Sequence, residues 1–212
     1  MDYQKKKNEY ILKNCTPEDP LLAELSRQTW LKVLNPKMLS GHYQGKLLEM
    51  ISRMIRPLKI LEIGTFTGYS AICMGRGLAE GGELHTIDIN DEIKEFALEY
   101  IKRSGLEKSI KLHTGNALKI IPSLDGPFDL VFIDGEKSEY IEYYNLVFPK
   151  INTGGFIIAD NVLWDEKVYK PEYDNDPYTL HLREFNNMVN SDNRVDNMIL
   201  PVRDGLMIMR KK

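Results

Sequence analysis

Three oxygen-bearing side chains fall at the ends of two apolar runs, where they could hold a divalent cation. Phe128-Asp129-Leu130-Val131-Phe132-Ile133 ends in Asp134, and Gly155-Phe156-Ile157-Ile158-Ala159 ends in Asp160-Asn161. As neighbouring parallel strands, the two runs would set these ends side by side, so that Asp134, Asp160 and Asn161 converge as hard ligands. Such a set suits Mg²⁺ first, with Ca²⁺ or Mn²⁺ as alternatives, and leaves coordination positions open for a substrate. Strand-end acids also cap the helices that follow, and for Asp134 taken alone capping is the better account.

A second constellation suits a nucleoside. Leu61-Glu62-Ile63-Gly64-Thr65-Phe66-Thr67-Gly68-Tyr69-Ser70 follows an apolar run and opens a helical pattern. Gly64 permits a sharp turn with a ligand close to the backbone, and Gly68 permits close packing where free N–H groups begin a helix. The spacing is neither the dinucleotide fingerprint nor a phosphate loop, and the glycines alone fit an ordinary strand-to-helix turn equally well. The next apolar run ends in Asp88, about 20 residues beyond Gly68, where a carboxylate can accept both ribose hydroxyls. Gly115-Asn116-Ala117 forms a third strand-end turn on the same rim, suited to an adenine. Three such turns in succession point to a nucleoside-type cofactor.

Short apolar runs at residues 60–63, 84–88, 110–113, 130–134 and 156–160 alternate with helical patterns, which predicts a mostly parallel sheet covered on both faces. Ile93, Phe96, Ala97, Tyr100 and Ile101 recur at helical spacing, and Gly105 suits the helix end. Runs at 198–202 and 206–209, joined by Arg203-Asp204-Gly205, predict a terminal antiparallel hairpin. Residues 1–55 read as a helical N-terminal extension. Thr16 is the expected cap, Pro17 lies in the first turn, and Leu21, Leu22, Leu25, Leu31 and Leu34 form the apolar stripe. With 212 residues and no linker, the whole of 1–212 is expected to form one domain.

Twenty-eight basic against 31 acidic residues give a net charge of −3, which offers no general attraction to nucleic acid. Basic residues do cluster at Lys5–Lys7 and at Arg210, Lys211 and Lys212. No apolar run is long enough to span a bilayer, and the first residues lack the apolar core of a signal peptide. A cytoplasmic location is expected, with Cys15 and Cys73 as reduced thiols.

Glu62–Ser70, Asp134–Lys137 and Asp160–Trp164 together resemble the cation-dependent O-methyltransferases, the family of plant caffeoyl-coenzyme A O-methyltransferase and its small bacterial relatives. The likeness runs from about Met38 to the C-terminus. It implies a Rossmann-like class I methyltransferase fold, α/β with seven strands, and S-adenosylmethionine as cofactor. It implies cofactor contacts for Met38, Ser40, Glu62, Gly64, Ser70, Asp88, Ala117 and Asp134, and puts the metal ligands at Asp134, Asp160 and Asn161. Asp134-x-x-Lys137 is also similar to the Asp-x-x-Lys of catechol O-methyltransferase, which makes Lys137 the implied general base beside Asp134.

Two departures stand out. Relatives commonly carry Asp-Ala-Asp-Lys or Asp-Ala-Ala-Lys where this chain has Asp134-Gly135-Glu136-Lys137, so Gly135 is expected to loosen the loop and Glu136 to reach further. Plant enzymes have a glycine after Trp164, where Asp165-Glu166-Lys167 stands here.

The chemistry expected is transfer of an electrophilic methyl to an oxyanion. A nearby cation would favour that oxyanion and push the Lys137 pKa down, although Lys137 can also be read as a solvated helix-start lysine. Trp164 is either a wall for an aromatic acceptor or part of the core. Tyr140, Tyr143 and Tyr144 read as core or dimer packing, and none of His42, His85, His113 and His181 shows ligand spacing. The expected acceptor is a small aromatic vicinal diol and the expected assembly a homodimer, with no membrane partner. The alternatives are methylation of tRNA 5-hydroxyuridine and a nonenzymatic S-adenosylmethionine-binding protein.

Overall fold

The structure, a computed structural model, describes residues 3–212, with side chains from Lys6 onward. Met1, Asp2 and the Lys5 side chain of the basic run lie outside the described residues. Three helices come first: α1 (Tyr3–Lys13), α2 (Pro20–Lys32) and α3 (Gly41–Ile55). Strands and helices then alternate through β1 (Lys59–Ile63), α4 (Tyr69–Gly75), β2 (Glu83–Asp88), α5 (Lys94–Arg103), β3 (Ile110–Thr114), α6 (Ala117–Ile120), β4 (Phe128–Ile133), α7 (Tyr140–Val147) and β5 (Ile151–Ala159). The chain closes with α8 (Pro177–Ser191), β6 (Val195–Leu200) and β7 (Leu206–Lys211).

The seven strands form one sheet in the order β3-β2-β1-β4-β5-β7-β6. All pairs from β3 to β5 are parallel, and β7 runs antiparallel to both β5 and β6. Successive side chains of a strand point to opposite faces, so the apolar runs of β1 and β4 feed two cores. Leu61, Ile63, Val131 and Ile133 pack with Tyr144, Leu182 and Phe185 on one face. Ile60, Leu130 and Phe132 pack with Leu25, Leu48 and Ile72 on the other. With both faces covered, the sheet leaves the carboxyl ends of β1 to β5 as an open rim for ligand-binding turns.

Two expectations for the N-terminal helices change. Asp19, not Thr16, caps the helix: its carboxylate accepts from the Leu21 and Leu22 amides, with Pro20 in the first turn. An Asp directly before proline answers two free amides at once, which moves the start past Pro17. Leu22 and Leu25 are buried, whereas Leu31 and Leu34 are 67% and 85% exposed, because Leu31 falls on the opposite face of α2 from Leu22 and Leu34 lies beyond the helix end at Lys32. Cys15 and Cys73 are both free thiols.

Candidate active site

The turn after β1 is shaped by the strand beside it. Gly64 has φ +103°, and a Cβ there would sit 2.2 Å from the Asp134 carbonyl oxygen. Close approach of the β4 end therefore requires a glycine here. Gly68, at φ +83°, leads into α4, and the Phe66 amide donates to Asp88 Oδ2 (2.6 Å) while Asn90 N donates to Oδ1 (2.9 Å). Asp88 thus braces the glycine loop from the end of β2.

A cleft over this turn is lined by Met38, Ser40, Gly64, Phe66, Ser70 and Asp134, among others. Of the expected cofactor residues it gathers Met38, Ser40, Gly64, Ser70 and Asp134. Asp88 meets it only through Phe66, and Ala117 lies apart at the start of α6, behind the Asn116 cap. Glu62 is fully buried beneath the cleft, where Thr86 Oγ1 donates to Oε2 (2.5 Å) and Thr65 bonds in turn to Thr86. Burial pushes the Glu62 carboxyl up to about 8 against the Ser70 and Thr86 hydroxyls, and the charges of Asp134 and Asp88 add to the rise.

The acids at the next two strand ends adjoin as expected. Ile133 pairs with Ala159 in the β4–β5 ladder, and the Asp160 amide donates to the Ile133 carbonyl (2.9 Å). Asp160 is nearly enclosed. Its Oδ2 accepts from Gln44 Nε2 (2.6 Å) and its Oδ1 from the Asn161 amide (2.7 Å). Burial first, then the neighbouring Asp134 charge, pushes the Asp160 carboxyl up to about 7. The Asn161 side-chain amide donates to Asp204 Oδ2 (3.4 Å). Among the described residues no three His, Cys, Asp or Glu side chains converge as a metal-binding group.

Lys137 is not a solvated lysine. Its Nζ donates to Asp134 Oδ1 (3.0 Å) and to Tyr140 Oη (2.8 Å), and the side chain is largely enclosed. Burial lowers its pKa, but the Tyr140 and Asp134 oxygens outweigh burial and hold it above the ordinary lysine value. Without a cation the shift is therefore upward, opposite to the one expected beside a metal.

Several neighbours escaped the sequence reading. Gln44 sits on the buried side of α3 with Leu48 and Ser52, and a glutamine at that spacing on an apolar face was the available signal. Tyr140 is core, as its spacing suggested, yet its hydroxyl also donates to the Asp160 carbonyl (3.0 Å). Arg203 adopts φ +51°, a left-handed conformation costing a non-glycine about 1–2 kcal/mol, and its Nη1 donates to the Leu39 (2.8 Å) and Ser40 carbonyls. That contact ties the hairpin turn to the segment carrying Met38 and Ser40.

The departures also resolve. Gly135 does not loosen its loop: a Cβ there would lie 3.0 Å from both Ile63 Cγ2 and Tyr143 Cε2, so Tyr143 fills the space where relatives carry alanine. Glu136 turns back to accept from Ser138 instead of reaching outward. Trp164, Asp165 and Glu166 all have positive φ, so the chain makes here with larger residues a turn that glycine makes easily. Trp164 is half-buried, and its ring lies 5.7 Å from that of Tyr178.

An O-methyltransferase family model matches residues 13–212. A catechol O-methyltransferase of Niastella koreensis is 37% identical over 161 residues, spanning 74% of this chain and 72% of that protein. Caffeoyl-CoA O-methyltransferase 2 of Populus trichocarpa is 30% identical, spanning 96% of this chain and 87% of its own. An O-methyltransferase of Bacillus cereus, solved in complex with SAH, superposes with a TM-score of 0.89 at 29% identity over 96% of each chain. With the family pattern covering nearly the whole chain and the strand order of a class I methyltransferase beneath it, the chain belongs to the O-methyltransferase family and is an S-adenosylmethionine-dependent O-methyltransferase.

Proposed function

We propose that the chain methylates one hydroxyl of a small aromatic vicinal diol held on a divalent cation, Mg²⁺ before Ca²⁺ or Mn²⁺. The observation that carries this reading is the juxtaposition of Asp134 with Asp160. Burial first, and then the Asp134 charge on the adjacent strand, raise the Asp160 carboxyl to about 7, so added positive charge beside it would be favourable. Gln44 Oε1, on the amide that holds Asp160, is buried without a hydrogen-bond partner among the described residues. With the Asn161 amide alongside, the donor set is all oxygen and fits a hard cation at Asp134, Asp160 and Asn161. When bound, such a cation supplies charge that favours an ionised hydroxyl.

The remaining tasks fall to this chain's own residues. Met38, Ser40, Gly64, Ser70 and Asp134 form the cleft assigned to the cofactor, whose methyl is already electrophilic. Asp88 braces its loop and is assigned the ribose, Ala117 the base, and Glu62 supports the floor. Lys137 Nζ, paired as an ammonium with Asp134, can stabilise a developing oxyanion. With Asp134 engaged elsewhere, one of the two groups that hold the Lys137 pKa up is withdrawn while Tyr140 remains. Lys137 is assigned the role of general base in its neutral form, after its ammonium has released a proton to solvent. Trp164 and Tyr178 offer an aromatic wall beyond Asn161.

The relatives named for catechol and caffeoyl-CoA support a small aromatic acceptor over tRNA. So does the position of the C-terminal basic residues. Strand β7 leaves the ligand rim at Leu206 and carries Arg210 and Lys211 to the opposite end of the sheet, about 14–17 Å away. There Lys211 Nζ is bonded to the Phe148 and Ile151 carbonyls, and Lys212 pairs with Asp196. The test is transfer of labelled methyl to catechols and to hydroxylated tRNA, with chelator and with Mg²⁺ restored. Expected are catechol methylation lost in chelator, recovered with Mg²⁺ and insensitive to salt, and an Asp160→Ala variant that is inactive yet binds S-adenosylmethionine. Full activity in excess chelator, or tRNA methylation falling steeply with salt while catechols are inert, refutes the reading.

A further inference from the structure

A second cavity of about 430 Å³ opens beside the cofactor cleft and shares Leu39 and Ser40 with it. Trp30 and Tyr43 give it aromatic surface, and Lys37, His42 and Arg203 give it cationic or protonatable groups. Among the described residues no Asp or Glu lines it. Tyr43 precedes Gln44, which holds Asp160, and Arg203 precedes Asp204, which accepts from Asn161. Two lining residues are thus chain neighbours of groups that touch a proposed metal ligand.

Arg203 is the informative group. Its Nη1 is engaged by the Leu39 and Ser40 carbonyls, whereas Nε and Nη2 have no hydrogen-bond partner among the described residues. Those two atoms form the side-on edge of a guanidinium, whose parallel N–H groups match the two oxygens of a carboxylate. Arg203 and Lys37 are both exposed, and neither has a carboxylate within 4.0 Å among the described residues. The free N–H edge of Arg203 at an aromatic-walled cavity can give an anion two charge-assisted hydrogen bonds.

We propose that this cavity takes the carboxylate end of the methyl acceptor, so that the favoured substrates are aromatic vicinal diols bearing an acidic side chain. The inference rests on the O-methylation of small diols proposed above and names the substrate class within it. Arg203 would receive the carboxylate side-on, Lys37 would add charge at the mouth, and Trp30 or Tyr43 would cover the apolar linker.

A matched pair of acceptors tests this: 3-(3,4-dihydroxyphenyl)propanoate and its methyl ester, which differ in charge but present the same diol. Wild-type kcat/KM is expected to be about 10- to 100-fold higher for the acid, chiefly through KM, as for a hydrogen bond to a charged group. Lys37→Met should lower the acid value about two- to fivefold, the size of an exposed ion pair, and leave the ester unchanged. Arg203→Met should lower the acid value at least tenfold more than the ester value, and Arg203→Lys should recover part of that loss. An ester used as well as the acid by the wild type, or variants that depress both acceptors alike, overturns the carboxylate assignment while leaving diol methylation intact. Should Arg203→Met fail to fold, the wild-type ratio and Lys37→Met still decide. Transfer to neither compound by protein that binds S-adenosylmethionine refutes the proposed function, and this inference with it.

Discussion

Replacing Glu62 by Gln should flatten the pH dependence of stability. The carboxyl is 0% exposed and is pushed from an ordinary 4.5 up to about 8, chiefly by burial. Between those values the unfolded chain carries an ionised Glu62 while the folded chain keeps the proton. Unfolding then releases a proton, so stability present below pH 4.5 is lost as pH rises towards 8. One proton corresponds to about 1.4 kcal/mol per pH unit, which sets a ceiling of about 5 kcal/mol over the full interval. Relaxation around the charge reduces this, and a loss of about 2–4 kcal/mol between pH 5 and pH 8 is expected. Glutamine keeps an oxygen for the Thr86 hydroxyl but does not titrate, so Glu62→Gln should cost about 1 kcal/mol at pH 5 and equal or exceed the wild type at pH 8. Urea unfolding followed by circular dichroism at pH 5, 6.5 and 8, without cofactor, gives the comparison. Shifted groups common to both proteins, among them His113, Asp160 and Asp204, cancel in the difference. Parallel stability curves for the two proteins would falsify the buried-proton argument.

Gly64→Ala should lower stability by about 2–4 kcal/mol, from the positive φ and a Cβ placed 2.2 Å from the Asp134 carbonyl, and should abolish cofactor binding. An unchanged melting temperature would show that the β4 end can move aside. Asp88→Ala should raise the S-adenosylmethionine dissociation constant about 10- to 100-fold, the usual loss for a charged hydrogen bond. Titration calorimetry reads this directly, and an unaltered constant leaves Asp88 as a brace for the Phe66 amide alone.

The sheet was legible because its strands are nearly continuous apolar runs, and the strand-end residues Asp88, Asp134 and Asp160 punctuate them at the rim. Adjacency of Asp134 and Asp160 followed from parallel pairing alone. What was hidden involves contacts between distant parts of the chain. Gln44 meets Asp160 from 116 residues away, and Arg203 meets Ser40 across 163. No local pattern encodes such pairs, because each residue is individually unremarkable in its own helix or turn. Gly135 misled for a related reason: a glycine in a loop reads as slack, and only the Tyr143 ring across the gap shows that it is needed for packing. The start of α2 was missed by three residues because Thr16-Pro17 and Asp19-Pro20 are both valid cap signals, and the one followed by Leu21 and Leu22 prevailed.

The antiparallel strand β7 has a consequence for how the molecule assembles. Strand β6 is made before β7 but touches the sheet only through it, so β6 has nothing to pair with until β7 has been synthesised and inserted. Up to that moment the flank of β5, with Phe156, Ile157 and Ile158, is an open edge able to template pairing with another chain. Insertion of β7 closes that edge and in the same event delivers Arg203 to the Ser40 segment and Asp204 to Asn161. Ligand-binding competence should therefore appear late, after the parallel strands have formed, and chains stalled short of residue 206 should be prone to self-association instead of being partly active.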